Sequence, residues 1–310
     1  MSIRGRLISI LAPHGAEDGE KSYSALLAEN MRLKEKLQKM QRQQKASGGR
    51  SAADDDGSLL ILKEDQYTYV FHCDTEKERR RAKRLFTKEK GTVNWIARDA
   101  RPGDTFFDVG ANIGLYTVYA AARIGNTGSV FAFEPHGVNF AALIKTIVAN
   151  GFTDFVHPVS LPLGDTVRFG NFNYQSILAS SSTSQFEGNS YEGKEFVPSL
   201  SELKYCVTVD HLIEQGVLAP ADMVKIDVDG LDFEVLKGME GMLRDSKRPR
   251  SLQVELGTDS MDPTLSLLGN IGYRVVEKHW TEAGLAHIER GLPAESYPHY
   301  AICWPVDRKE

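Results

Sequence analysis

The chain has 310 residues, of which 41% are hydrophobic, and its formal net charge is −5 with a sequence pI near 6.0. This length can bury the core of one large α/β domain with appendages, and the acidic balance argues against a nucleic-acid-binding protein. Three widely separated cysteines, Cys73, Cys206 and Cys303, argue against a disulfide framework or a zinc site and fit a cytoplasmic location.

The first twelve residues carry basic side chains followed by a short apolar patch, as a secretory signal peptide does. Ser9 interrupts the apolar part and no small-residue cleavage site follows it, so we predict no secretion signal. Peripheral membrane contact through this patch is the alternative. No apolar run approaches the ~20 residues of a membrane-spanning helix, so no transmembrane segment is predicted.

Residues 20–44 carry a seven-residue pattern in a stretch almost free of Gly and Pro. Leu26, Leu33 and Met40 occupy the d positions of the heptads, and Asn30 occupies an a position. This pattern predicts a parallel two-stranded coiled coil, with the buried Asn fixing the register, and therefore a homodimer. A monomeric charged helix is the alternative.

A small, polar, glycine-rich stretch at 45–58 predicts a flexible linker, because it cannot bury enough apolar surface to offset its ordering entropy. The chain is therefore predicted to have an N-terminal segment (1–44), this linker, and a domain spanning 59–310. Within the domain, 59–100 is predicted to form a hairpin and helices ahead of a core at 101–310.

The first part of the domain contains two β-rich runs, 59–62 and 67–73, which predict a hairpin. Residues 76–90 are highly charged and favour a helix, and a second short helix is predicted at 92–100. The basic residues of this stretch are interpreted as a solvated helix face, with attraction of an acidic partner as the alternative.

From residue 105, strand and helix patterns alternate, which predicts an α/β fold with a Rossmann-like, doubly wound and mostly parallel sheet. Strands are predicted at 105–109, 129–134, 155–160, 222–228 and 251–256, and helices at 115–124, 139–150, 231–244 and 263–271. Two late strands, 273–277 and 300–304, predict an antiparallel hairpin at the C-terminal edge of the sheet.

The region from 161 to 200 lacks this periodicity and is rich in Gly, Ser, Asn and Tyr, including a Ser/Thr run at 180–184. We interpret it as a mobile loop. A long insertion near the C-terminal edge of a sheet is where a substrate lid would lie, and a surface loop without a role is the alternative.

A glycine turn links the first predicted strand of the core to its helix. Asp108 ends the strand, and Gly110, Asn112 and Gly114 make the turn; Glu134 ends the next strand, 20 residues after Gly114. An acid at that place can accept hydrogen bonds from ribose hydroxyls, which predicts an adenosine-containing ligand. The Gly-x-Asn-x-Gly order after a carboxylate suits the cationic sulfonium and amino groups of S-adenosylmethionine better than the diphosphate of NAD.

Three further acids are predicted at the same sheet edge. Asp227 and Asp229 point to one side of their strand beside Gly230, and Glu255 lies on the following strand. Such carboxylates could accept a substrate proton, hold a substrate amine or bind Mg²⁺. For Glu255, a strand-end surface charge is the alternative.

Four histidines are candidate bases because histidine titrates near neutral pH: His136, His157, His211 and His279. His136 follows Glu134 directly and is interpreted as lining the adenosine pocket or facing solvent. His279, near the closing hairpin, is the one expected to reach a substrate.

Taken together, these motifs resemble the FkbM-type methyltransferases, which are class I enzymes that use S-adenosylmethionine. The resemblance is carried by the segments 107–117, 133–135, 207–210, 225–230 and 235–238, which occur in the family's order. It implies an O-methyltransferase that acts on a sugar hydroxyl of a polysaccharide, a glycan or a natural product.

The resemblance also implies roles for individual residues. Those assigned to the methionine part of the cofactor are Asp108, Gly110, Asn112 and Gly114. Glu134, with the adjoining Pro135, would take the ribose hydroxyls, and Asp165 matches loosely a segment near the adenine. Asp227 and Asp229 would border the methyl-transfer site, although the family more often has Glu at the latter position.

We therefore expect a methyltransferase in which Asp229 is the leading candidate for the general base, beside Asp227, with His279 second. If a metal is used, Asp227, Asp229 and Glu255 are its expected ligands. The alternatives are a nicotinamide-dependent oxidoreductase and a non-catalytic coiled-coil protein with a degenerate methyltransferase domain.

Overall fold

The computed structural model describes residues 58–191 and 194–308, which belong to a compact unit spanning Asp54–Glu310. The predicted coiled coil (20–44), the rest of the N-terminal segment and all but the last residue of the predicted linker lie outside the described residues. Among the residues described, no helix has the length and apolar content needed to cross a membrane.

The domain begins with an antiparallel hairpin, as predicted, formed by β1 (Leu59–Glu64) and β2 (Tyr67–His72). Helix α1 (Glu76–Lys83) follows, and Thr75 caps it in a reciprocal capping box with Glu78. The charged stretch predicted as one helix ends at Lys83 and continues as turns up to α2 (Lys90–Asp99).

The predicted alternation of strands and helices is confirmed. The elements that follow are β3 (Thr105–Val109), α3 (Leu115–Ile124), β4 (Ser129–Phe133), α4 (Gly137–Asn150) and β5 (Val156–Val159). An insertion then contains β6 (Arg168–Tyr174), β7 (Gln185–Phe186), β8 (Ser190–Tyr191), β9 (Lys194–Glu195) and β10 (Leu200–Cys206).

The remaining elements complete the core. They are α5 (Val209–Glu214), β11 (Met223–Ile226), α6 (Asp232–Lys237), α7 (Glu240–Arg244), β12 (Ser251–Leu256), α8 (Met261–Asn270), β13 (Tyr273–His279), α9 (Glu282–Glu289) and β14 (His299–Pro305). The helix predicted over 231–244 is thus two short helices. They separate at Gly238, where a Cβ atom would lie 1.9 Å from the Gly164 carbonyl oxygen.

Seven strands form the central sheet in the order β13-β14-β12-β11-β3-β4-β5. The five strands from β12 to β5 are parallel, and β14 is antiparallel to both of its neighbours. The predicted C-terminal pair is therefore present, but its last strand lies inside the sheet and β13 forms the edge.

Each face of the sheet packs against its own apolar cluster, because side chains alternate along every strand. Phe106 faces a cluster that contains Trp95, whereas the adjacent Phe107 faces a cluster that contains Leu236. This arrangement gives the doubly wound architecture that the sequence predicted.

The insertion at 161–200 is more ordered than predicted, since β10, β6 and β7 form a three-stranded antiparallel sheet. On β6, Gly170, Phe172 and Tyr174 are buried in alternation with more exposed residues. A Cβ atom on Gly170 would lie 2.4 Å from Phe186, so the glycine that suggested a loop makes room for an aromatic ring.

Candidate active site

A cavity of about 280 Å³ lies at the carboxyl ends of the parallel strands. The turns after β3, β4 and β11 line it, together with the end of β12, the Ser/Thr run at 180–184 and residues around α1. The lining brings together these residues that the sequence placed in the site: Gly110, Asn112, Glu134, Pro135, Asp227, Asp229 and Glu255. His136 also lines the cavity, in agreement with its interpretation as a pocket residue.

The turn after β3 adopts backbone conformations that restrict which residues it can contain. Gly110 has φ +80°, and a Cβ atom there would lie 1.9 Å from the Asp227 carbonyl oxygen. Asn112 also has positive φ, +52°, which Asn tolerates better than most residues. Gly114 begins α3 at φ +92°, packed against Leu143 and outside the cavity lining.

Asp108 is fully buried beneath this turn rather than exposed to the cavity. Its carboxylate accepts a hydrogen bond from Thr117 Oγ1 at 2.6 Å and lies 3.2 Å from the buried ammonium of Lys225. The same ammonium is 3.5 Å from Asp227. Burial opposes its charge, but Asp108, Asp227 and Glu89 outweigh burial and raise the pKa of Lys225. Asp108 therefore neutralises an internal cation, and any effect on a ligand would be indirect.

Glu134 connects the ends of β3 and β4. Its two carboxylate oxygens accept the backbone N–H of Asn112 at 2.7 Å and that of His136 at 2.9 Å. Burial raises the pKa of Glu134 to about 7, while these N–H donors act in the opposite direction. A carboxylate oxygen has two lone pairs, so each can still accept a ligand hydroxyl from the cavity.

The Ser/Thr run at 180–184 is docked over the site by hydrogen bonds, and we call it the strap. The Ser181 carbonyl oxygen accepts from the side-chain amides of Asn112 and Asn139, each at 2.9 Å. The Thr183 backbone N–H donates to Asp229 at 2.8 Å. The strap thus contacts the turns after β3 and β11 and helix α4 at once, which fits the predicted position of a lid.

Asp229 and Asp232 organise the turn after β11. Asp229 has φ +52° and is followed by Gly230 at +92°. Asp232 is buried and accepts the backbone N–H groups of Val228 and Gly230, each at 3.2 Å. Burial, reinforced by the charge of Asp227, raises the pKa of Asp229 to about 6. Its carboxylate is therefore a better proton acceptor than an ordinary aspartate.

The far side of the cavity combines two glutamates with two tyrosines. Tyr116 donates to Glu89 at 2.6 Å, and Lys88 lies 2.5 Å from the same carboxylate. Glu255 lies near Tyr300 in the cavity lining, and burial together with Asp227 raises its pKa well above the usual value. Burial and the neighbouring Asp227 therefore disfavour the charged form that a metal-ligand role would require of Glu255.

Besides Asp108 and Gly114, two more predicted site residues lie away from the cavity lining. Asp165 pairs with Lys237 at 2.6 Å, and this hydrogen bond lowers its pKa. His279 is half-buried, stacks on Tyr300 with ring centroids 5.1 Å apart, and has Nε2 3.2 Å from Thr92 Oγ1. Burial lowers the pKa of His279 to about 4, so this ring is neutral and positions Tyr300 instead of reaching the cavity.

The other two histidines are also outside the lining. His157 packs against Phe131 with ring centroids 4.8 Å apart, and burial lowers its pKa. His211 lies in α5, where its backbone N–H donates to the capping Thr208. Neither is placed to exchange a proton with a molecule in the cavity.

The three acids proposed as metal ligands do not form a metal centre. In the described part of the chain, no group of three or more His, Cys, Asp or Glu side chains is arranged to hold an ion. Asp227 faces the Lys225 ammonium, and burial disfavours the charged form of Glu255, so both offer less of the negative charge that Mg²⁺ prefers.

Sequence reasoning missed several residues that build the site. Lys225 lies within an apolar strand, and a lysine in such a place signals a buried ion pair. Asn139, Ser181 and Thr183 had no such signal, because their roles depend on how the strap folds back over the sheet.

Comparisons with known proteins show that the chain is similar in sequence to methyltransferases. Residues 108–275 match the profile of the methyltransferase FkbM domain. The hexuronic acid methyltransferase AglP of Haloferax volcanii is 28% identical over 179 residues, which cover 57% of this chain and 66% of that protein. The chain therefore spans just under two thirds of that relative's length.

A second relative matches more of its own length. The 31-O-demethyl-FK506 methyltransferase FkbM of Streptomyces tacrolimicus is 30% identical over 207 residues, which cover 57% of this chain and 75% of that protein. Among solved structures, methyltransferase FkbM of Methylobacillus flagellatus aligns with a TM-score of 0.41 and 14% identity, over 68% of this chain and 50% of that one.

Proposed function

The chain belongs to the FkbM family of S-adenosylmethionine-dependent methyltransferases, and we propose that it transfers a methyl group from this cofactor to a sugar hydroxyl. One observation carries the proposal. The carboxyl ends of β3, β4 and β11 bring Asn112, Glu134 and Asp229 into one cavity, beside backbone turns that a ligand can approach closely. The family match argues against the alternative of a nicotinamide-dependent oxidoreductase.

The residues present fit an adenosine-containing, positively charged cofactor. Glu134 keeps free lone pairs for ribose hydroxyls, as an acid at the end of a second strand does in nucleoside sites. Asn139 lines the cavity, and its Oδ1 is a buried acceptor without a hydrogen-bond partner among the described residues. Asp227 and Asp229 place carboxyl groups in the lining of the same cavity. When bound, the cofactor supplies an electrophilic methyl group on a sulfonium.

In this proposal the protein's part is to position the acceptor and to move one proton. The strap, held by Asn112, Asn139 and Asp229, would exclude water from the cavity. Asp229 would accept the acceptor hydroxyl's proton, because its pKa of about 6 brings it closer to that of a working base. Tyr300, held by the stacked His279, would form one wall of the acceptor pocket.

The cofactor assignment is tested by calorimetric titration with S-adenosylhomocysteine and with NAD. We expect the wild-type chain to bind S-adenosylhomocysteine and not NAD. Glu134→Ala should weaken binding about tenfold or more, because it removes a charged hydrogen-bond acceptor worth roughly 1.5–3 kcal/mol. Glu187→Ala, outside the cavity lining, is the control. Tight NAD binding, or full affinity in Glu134→Ala, would contradict the proposal.

A sugar hydroxyl is proposed as the acceptor because the Haloferax volcanii relative is a hexuronic acid methyltransferase, and the FkbM resemblance implies sugar substrates. Mass spectrometry tests this point. Purified protein is incubated with cofactor and an extract from a strain lacking the gene, and a carbohydrate that gains one CH₂ unit supports the proposal. A methylated product without a sugar would overturn this part alone.

The proposal also covers the oligomeric state of the protein, its location and its use of metal. We propose a cytoplasmic homodimer joined through residues 20–44, a heptad segment that lies outside the described residues. Light scattering of the full chain tests the dimer by measuring the mass of the particle in solution. Peripheral membrane contact through the N-terminal patch is kept only as an alternative. No Mg²⁺ is included, because Lys225 faces Asp227 and burial disfavours the charged form of Glu255 at the site expected for the ion.

A further inference from the structure

Three basic side chains line the cavity and are not used by the proposed transfer. Arg81 lies in α1, and Arg84 and Lys88 lie in the turns that follow it. The charged stretch that the sequence favoured as a solvated helix face therefore turns these cations toward the site.

The three cations differ in whether their charge is matched. Arg84 pairs with Glu282 at 2.5 Å, and Lys88 pairs with Glu89 at 2.5 Å. Arg81 differs from both, because its Nη1 is buried and has no hydrogen-bond partner within the described ranges. A buried guanidinium nitrogen without a partner is costly, and a bound anion in the cavity would satisfy it.

The position of Arg84 separates it from the proposed ribose contact. Arg84 is tied to Glu282 at the start of α9, close to Thr281, which also lines the cavity. Tyr300 lies on β14, four strands away from β4, whose end carries Glu134. At 4.7–4.9 Å per strand this separation is about 19 Å, so Arg84 lies on the Tyr300 side of the cavity, away from Glu134.

Arg81 is also close enough to Asp229 to act on it electrostatically. The positive charge of Arg81 favours the ionised carboxylate of Asp229, in opposition to burial. An acceptor that contacts both residues would place a negative group at one and a hydroxyl at the other. A uronic acid has both groups on a single sugar ring.

We propose that Arg81 binds a carboxylate of the acceptor, with Lys88 and Arg84 beside it, so that the preferred acceptor is an acidic sugar of the uronic acid class. This inference rests on the proposed function, because it names the class of sugar that the same site methylates. The guanidinium forms two parallel hydrogen bonds with a carboxylate, which also orients the ring.

The test measures binding to the full chain saturated with S-adenosylhomocysteine. The probes are methyl β-D-glucuronide and methyl β-D-galacturonide, each against the matching neutral glycoside. We expect the uronides to bind about tenfold or more tightly than the neutral glycosides, and Arg81→Gln to abolish that preference. Arg80→Gln removes the same charge from the adjacent, exposed position of α1 and should leave the preference intact.

Two results would overturn the inference. One is equal binding of uronides and neutral glycosides by the wild-type chain. The other is that Arg81→Gln weakens the binding of S-adenosylhomocysteine but not that of 5′-methylthioadenosine, which lacks the carboxylate. That result would mean that Arg81 binds the carboxylate of the cofactor. In either case, wild-type binding of S-adenosylhomocysteine leaves the methyltransferase proposal standing, whereas its loss would remove both.

Discussion

Lys225 shows how a single residue can sit at the centre of a site without lying in its cavity. It is aligned with Asp108 in the register of the parallel strands β11 and β3, and its ammonium lies between Asp108 and Asp227. These two ion pairs hold the turn after β3 and the turn after β11 at a fixed separation. The two turns that line the cavity after β3 and β11 therefore depend on one buried cation.

Replacing that cation should be costly. Lys225→Met leaves Asp108 buried and uncompensated, so we expect the free energy of unfolding to fall by about 3–5 kcal/mol. Equilibrium denaturation in urea measures the change. Adding Asp108→Asn to Lys225→Met should recover part of the loss, because the second change removes the orphaned charge. If the free energy of unfolding of Lys225→Met lies within about 1 kcal/mol of the wild-type value, the role given to this ion pair is contradicted.

The sequence showed which residues end the strands, but not which of them face a ligand. Asp108 pairs with Ala132, two residues before Glu134, so it lies deeper in the sheet, and only Glu134 lines the cavity. At that deeper level the partner of Asp108 is Lys225, on the neighbouring strand. That neighbour is known only once the strand order is known, and no local pattern contains the strand order.

The strap is the element with the most consequences for the site. Its backbone, rather than its serine side chains, makes the contacts to Asn112, Asn139 and Asp229. Periodicity predicted the helices and parallel strands of the core well, because each buries a regular face. It did not predict the ordered insertion at 161–200, where short strands and long-range hydrogen bonds leave little regular pattern.

Loosening the strap should be visible by hydrogen exchange. Asn112→Gly keeps a residue that accepts positive φ but removes the amide that donates to Ser181. One such hydrogen bond contributes about 0.5–1.5 kcal/mol, so we expect backbone amides at 180–184 to exchange about 2- to 10-fold faster. Asp65→Gly, at another positive-φ position in the β1–β2 turn, is the control. Unchanged exchange would show that this contact does not hold the strap.

Across the domain as a whole, acids are concentrated where the sheet ends, and this makes its stability depend on pH. Burial raises the pKa of Asp229 to about 6 and that of Glu134 to about 7. Between an ordinary aspartate pKa of 3.8 and about 6, the folded chain keeps a proton on Asp229 that the unfolded chain has lost. The contribution of that proton to stability is therefore complete below pH 3.8 and is lost as the pH rises through about 6.

Asp229→Asn removes this dependence. Relative to wild type, the variant should gain stability as the pH rises from about 4.5 to 7, by about 1–3 kcal/mol, and the difference should then level off. Urea denaturation at several pH values measures it, with Asp259→Asn at an exposed position as the control. A difference that stays constant, or that falls with pH, would mean that burial does not raise this pKa.

The place of β14 inside the sheet has a consequence for how the protein is made. Its neighbour β12 ends at Leu256, but the edge of β12 stays uncovered until residues 299–305 have left the ribosome. Until then β13 has no partner in this sheet, since it pairs only with β14. A nascent chain stopped before His299 would expose an unpaired strand edge that invites association with other chains. Completion of the sheet is thus delayed until synthesis has passed almost the whole domain.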